Sequence, residues 1–126
     1  MDFKINGVDK KLIFGVRFVA DLDESEKISE QGIEFGMGLM MAQEKLKMGN
    51  YPALIKVLKF ALIKENVTED EVADALDEYS ADNDLEVLFS KIEEELKNSN
   101  AVRTAQARME KVTKEANRKN GIKAVK

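Results

Sequence analysis

The side chains in this chain that could do chemistry are mostly carboxylates. There are 24 Asp and Glu residues and neither His nor Cys. Thiol catalysis, disulfides, His-based triads, haem ligation and structural zinc sites are thereby excluded. What remains is acid–base work by paired carboxylates. That needs two acids in a concave, partly apolar setting that separates their pKa values. Glu93, Glu94 and Glu95 are consecutive in a helical pattern, so they point in different directions. Glu69-Asp70-Glu71 and the acids from Asp82 to Glu86 sit at helix starts, where negative charge offsets the helix dipole. Asp82, Asp84, Glu86 and Glu93 take positions 1, 3, 5 and 12 of a nominal calcium loop, but the sixth position, which needs glycine, is Val87. Gly32, Gly36 and Gly38 do not form a dinucleotide fingerprint, and no phosphate-loop lysine follows them. No catalytic residue, metal ligand or cofactor is expected, and the chain reads as a non-enzyme.

Apolar side chains carry more information. On a helical wheel, Phe35, Leu39, Ala42 and Leu46 share one stripe. Met37, Met41 and Met48 fall near the opposite side, with Met40 between. The following helix is similar, with Leu54, Val57, Leu58, Ala61 and Leu62 on one side and Ile55, Phe60 and Ile63 elsewhere. Helices apolar nearly all round are either central core or engaged with a partner. Methionine repacks easily and is common on adaptable binding surfaces. Both readings stand at this level. Further on, Val102, Ala105, Met109, Val112 and Ala116 are spaced 3, 4, 3, 4, a coiled-coil seam about two heptads long. Met37, Met40, Met41, Met48, Val102, Ala105, Met109 and Val112 are the candidates for client or self-contact.

The elements that must position these residues begin with a hairpin. Asn6-Gly7 is the preferred two-residue type I′ turn. It sets Ile5 opposite Val8, Lys4 opposite Asp9, Phe3 opposite Lys10 and Asp2 opposite Lys11, and gathers Phe3, Ile5, Val8, Leu12 and Phe14 on one face. An isolated hairpin is marginal in water, so this face must lie on the helices. Val16 to Asp23 reads as a short amphipathic segment with Val16, Val19, Ala20 and Leu22 inward. Glu24 to Glu30 reads as a polar loop. Gly32, Gly36 and Gly38 mark a bent entry or a close backbone approach to a helix over Leu39–Met48, stopped by Gly49-Asn50. A helix starting at Tyr51-Pro52 runs to about Lys64. Thr68-Glu69-Asp70-Glu71 is a capping box, and Asn83 is read as the next N-cap. Leu85, Leu88, Phe89, Ile92 and Leu96 then repeat at helical spacing. Asn98-Ser99-Asn100 breaks the pattern, and a last helix frays from Lys114. The expectation is an α+β, mainly α fold: an N-terminal hairpin packed on a four- to five-helix body, residues 1–98, with a basic C-terminal arm, residues 99–126.

Composition fits this picture. At 14.2 kDa the chain is one domain long, 44% apolar and 35% charged, with net charge −4. The charge is unevenly spread: residues 65–95 carry a net −12 and residues 96–126 a net +7. The basic arm, with Arg103, Arg108, Lys111, Lys114, Arg118, Lys119, Lys123 and Lys126, could contact phosphates, so a small nucleic-acid-binding regulator is the alternative reading. The arm has no aromatic residue to stack bases, and a solvated or partner-docking arm is favoured. No secretory leader is visible. The longest apolar run, Ala53 to Ile63, is interrupted by Lys56 and Lys59 and falls short of the ~20 residues that span a bilayer.

The order of these features resembles a known family, the tail assembly chaperones of long-tailed phages of Gram-positive bacteria. The similarity runs over residues 1 to 100. It is carried by Phe3-Lys4-Ile5-Asn6-Gly7 with Lys11-Leu12-Ile13-Phe14-Gly15, Asp21-Leu22-Asp23, Gly32-Ile33-Glu34-Phe35-Gly36-Met37-Gly38-Leu39, Gly49-Asn50-Tyr51-Pro52-Ala53-Leu54, the acidic Thr68-to-Tyr79 segment and Asp84-Leu85-Glu86-Val87-Leu88-Phe89. The resemblance implies a non-enzymatic assembly factor in the host bacterial cytoplasm that is absent from the mature virion. It implies binding to the tape measure protein and help to the tail tube protein as it polymerises. Self-association is a further expectation, and membrane contact is not expected. The family has no catalytic motif, so no residue role is carried over.

Overall fold

The computed structural model describes residues 1–124. Asn6 and Gly7 take φ of 51° and 78°, the left-handed pair that a type I′ turn requires. They join β1 (Asp2–Ile5) to β2 (Val8–Lys11) in the register expected from the sequence. Phe3, Ile5, Leu12 and Phe14 are buried, but Val8 is 54% exposed. β1 is the strand that lies on the helices, against α4 (Glu69–Asp82), so Val8 on the outer strand reaches past the body.

α1 (Val16–Ser25) buries Phe18, Val19 and Leu22, not Val16 and Ala20. The larger Phe18 and Leu22, one turn apart, claim the inward face, and Phe18 meets Phe14 edge-on at 5.1 Å. The segment expected as a polar loop is instead a second hairpin. β3 (Lys27–Glu30) pairs antiparallel with β4 (Ile33–Gly36) across Gln31-Gly32, whose φ values of 52° and 78° repeat the first turn. On it, Lys27 lies 2.6 Å from Glu24 and 3.4 Å from Glu34; the hydrogen bond to Glu24, then that to Glu34, raises its ammonium pKa.

α2 (Gly38–Lys47) ends at Gly49, φ 69°, and α3 (Tyr51–Ala61) starts at Asn50, whose side chain accepts from the Ala53 N–H at 2.8 Å. α3 stops earlier than the sequence suggested and passes into a 3-10 turn at Ile63–Glu65. Leu54, Val57, Leu58, Ala61 and Leu62 are buried, as their stripe requires. The Thr68 capping box is formed in full, and Glu71 also accepts from the Asn6 amide at 3.1 Å, tying the first hairpin's turn to the start of α4.

The N-cap of α5 (Leu85–Asn98) is Asp84, not Asn83. Asp84 accepts from the Glu86 N–H, while Asn83 closes α4 by donating to the Tyr79 carbonyl. Ser99 accepts from the Val102 N–H and donates to the Phe14 carbonyl, so it starts α6 (Asn100–Ala124) and fixes it to the hairpin's exit. Helix continues past Lys114, where fraying was expected, as far as Ala124; Val125 and Lys126 lie outside the described residues. Among the described residues the helices and the first hairpin enclose one core, whose fully buried large residues include Phe18, Leu54, Leu58, Leu88, Ile92 and Val102.

Candidate partner-binding groove

α2 and α6 each pack on α1, α2 also packs on α5, and α6 also packs on α5, but α2 and α6 scarcely touch each other. The space left between them is a groove of about 350 Å³, with α5 contributing a third wall. Its apolar lining is Leu39 and Met40 from α2, Leu96 from α5, and Ala105 and Met109 from α6. Ala105 is the small side chain on a wall where a larger one would narrow the gap.

The position of α2 is fixed by its neighbours. Its own N-cap residue, Met37, has no side-chain acceptor to offer. Asp23, in the last turn of α1, supplies one by accepting from the Leu39 N–H at 2.8 Å. Gly36 and Gly38 let the backbones meet there. A Cβ on Gly36 would stand 2.6 Å from the Asp23 Cβ, and one on Gly38 would overlap the Leu22 carbonyl. This is the close approach that the glycines signalled. On the other side, Glu26 holds Lys56 of α3 at 2.9 Å and Lys45 of α2 at 3.7 Å. The hydrogen bond from Lys56 leads the effects that hold the Glu26 carboxyl below its ordinary range.

The lips of the groove are charged. Asp23, Glu44, Glu93 and Glu110 stand against Lys47 and Lys97. Lys47 is taken up by Glu44 at 3.5 Å, and Asp23 by the α2 N-terminus. Among the described residues neither Glu93 nor Glu110 has an ion-pair partner, and no ion pair joins α6 to the acidic α4.

Of the residues singled out by spacing, the structure brings Met40, Ala105 and Met109 together in this groove. Met41 is 41% exposed on the same helix, outside the lining, and Met48 is 80% exposed at its C-terminal end. Met37 is half-buried at the helix entry, where its N–H donates to the Glu26 carbonyl. Val112 is 56% exposed, about one turn beyond Met109. Val102 is completely buried and belongs to the core, so it anchors α6 and presents no surface. The sequence reading missed Leu39 and Leu96 as groove residues, because their periodicity marks them equally well as core. It also missed Glu93 and Glu110, whose convergence depends on how α5 and α6 pack. No helix among the described residues is long and apolar enough to cross a membrane.

Residues 2–111 match the family model described as phage tail assembly chaperone protein, TAC. The chain belongs to this family. No curated protein and no solved structure matches it. The matched region covers both hairpins, α1 to α5, and α6 as far as the last groove residue, Glu110. Membership of a tail assembly chaperone family points to phage tail proteins as partners. The family match lends no support to the nucleic-acid reading of the basic arm.

Proposed function

We propose that this tail assembly chaperone binds the tape measure protein of its own phage and keeps it soluble until tail tube subunits assemble around it. The observation that carries the reading is the combination of the family match with solvent-facing Met40, Met41 and Met48 on a helix whose other side is core. Such a surface can cover an apolar client segment without committing to one shape. On this reading the body, residues 1–98, carries most of the client surface, and the arm, residues 99–126, closes the groove with Ala105 and Met109 and adds Val112 beyond. The chaperone acts by protein–protein contact in the cytoplasm of a bacterial host, Gram-positive as the sequence resemblance implies, and is left out of the finished particle.

The test is co-expression with the tape measure protein of the same genome, followed by size-exclusion chromatography with light scattering. A client that becomes soluble and co-elutes with this chain supports the reading, and the mass gives the stoichiometry. A client that stays insoluble while this chain runs alone refutes it.

A further inference from the structure

We infer that the groove between α2, α5 and α6 takes one amphipathic helix of the client, with an apolar stripe flanked by lysine or arginine. This rests on the client-binding reading above and names the chemistry of the bound segment. Three observations point there. The walls are helices, whose backbone groups are already paired within each helix. An extended segment lying among them would bury unpaired N–H and C=O groups, whereas a helix satisfies its own. The longest wall, Leu39 to Lys47 on α2, is about 12 Å long and matches about two helical turns. The apolar lining of Leu39, Met40, Leu96, Ala105 and Met109 suits side chains recurring at helical spacing on one face.

Charge selects the flanks. Glu93 and Glu110 stand at the lips without ion-pair partners among the described residues, and Lys97 is the only lip cation outside an ion pair there. Glu94 and Glu95 face elsewhere, so the unpaired acids at the lips are Glu93 on α5 and Glu110 on α6. A cationic helix gains from these carboxylates, and an anionic one meets like charge.

The experiment uses the full chain and two fluorescein-labelled model helices with one leucine pattern, one filled with lysine and one with glutamate. At low salt the lysine peptide should bind about tenfold more tightly than its twin, the size of effect that a few surface charge pairs give. Methionine-methyl NMR should show Met40 and Met109 shifting on binding while Met1, outside the groove, stays put. The Glu93→Lys, Glu110→Lys double variant should reverse the peptide preference. Ala105→Trp should block both peptides; if it fails to fold by circular dichroism, Met40→Glu takes its place. Shifts that leave Met40 and Met109 unmoved, or a preference unchanged by the charge swap, would overturn the inference. So would an Ala105→Trp chain that still binds peptide but loses self-association, which would make a second copy the occupant. The two readings fail separately. A wild-type chain that never solubilises the tape measure protein removes the parent reading whatever the peptides do. A charge-swapped chain that solubilises it as well as wild type leaves the parent standing and removes this one.

Discussion

Asp23 sits at the end of one helix and caps the next, its carboxylate accepting from the Leu39 N–H at 2.8 Å. An acid is poorly placed at the C-terminal end of α1, where the dipole is negative, and α1 has no basic residue in its last turn to offset it. The gain lies at α2, whose N-terminal N–H groups would otherwise lack a side-chain acceptor. Asp23→Ala should cost about 1 kcal/mol in urea unfolding, the usual worth of an N-cap. Asp23→Asn keeps an acceptor oxygen and should retain most of that stability. Equal losses for both variants would show that the bond contributes little.

Gly38 and Gly32 separate two kinds of glycine requirement. A Cβ at Gly38 meets the Leu22 carbonyl, part of a backbone that cannot swing aside. Gly38→Ala should therefore cost about 3 kcal/mol or prevent folding, as overpacking does. Gly32 has φ 78° and open space around it. Gly32→Ala should cost only about 1 kcal/mol from backbone strain. Thermal unfolding of the two variants side by side tests the order.

Glu26 gives the fold an acid-sensitive tie. Its hydrogen bond from Lys56, reinforced by the charges of Lys56 and Lys45, lowers its folded pKa from the ordinary 4.5. A group with a lowered folded value stabilises fully above its unfolded value, and that contribution is lost as pH falls through the folded one. Wild type should therefore exceed Glu26→Gln in stability near neutrality, and the difference should close below pH 4.5. Urea midpoints from about pH 3 to pH 7 would show this. A constant gap across that range would assign the effect to packing.

Met41 and Met48 distinguish surface from core. Both are exposed, at 41% and 80%. Met41→Glu and Met48→Glu should leave the melting temperature within about 2 °C, since surface changes cost little. If these residues carry client contact, recovery of soluble tape measure protein on co-expression should fall for each. An unfolded Met41→Glu would show that this side of α2 is structural.

Truncation locates the point where α6 stops supporting the core. From Lys111 to Ala116 every side chain is exposed, whereas Val102 is buried completely. A chain ending at Lys111 should unfold with an unchanged midpoint. A chain ending at Asn98 loses Val102 and the Ser99 bond to Phe14 and should be destabilised by at least about 2 kcal/mol, as for deletion of a buried aliphatic side chain.

Local chemistry was readable in this sequence where one residue pair determines geometry. Asn6-Gly7 set every pairing of the first hairpin, and Thr68 with Glu71 announced a helix start. The second hairpin was hidden because Gln31 stands where Asn or Asp usually marks such a turn, and its strands are rich in charge. Asn83 and Asp84 are equally good caps by type, and only the backbone path decides between them. The methionine stripe was visible as a second apolar face on α2, but a helical wheel cannot say whether such a face is covered. The groove was not legible at all. It arises from α2 and α6 leaning on shared neighbours without meeting, and that is a property of packing alone.

α6 begins in the core and continues into water. Starting a helix is the costly step, with a nucleation penalty of about 10⁻³, whereas each later residue adds a hydrogen bond for little more loss of freedom. The turns from Asn100 to Met109, seated by Ser99 and Val102, supply that start. The exposed turns from Lys111 to Ala116 are propagation from a template that the folded body provides. Their amide protection against hydrogen exchange is therefore tied to the body's own stability. A probe on those turns would report the loosening of Val102 from a distance.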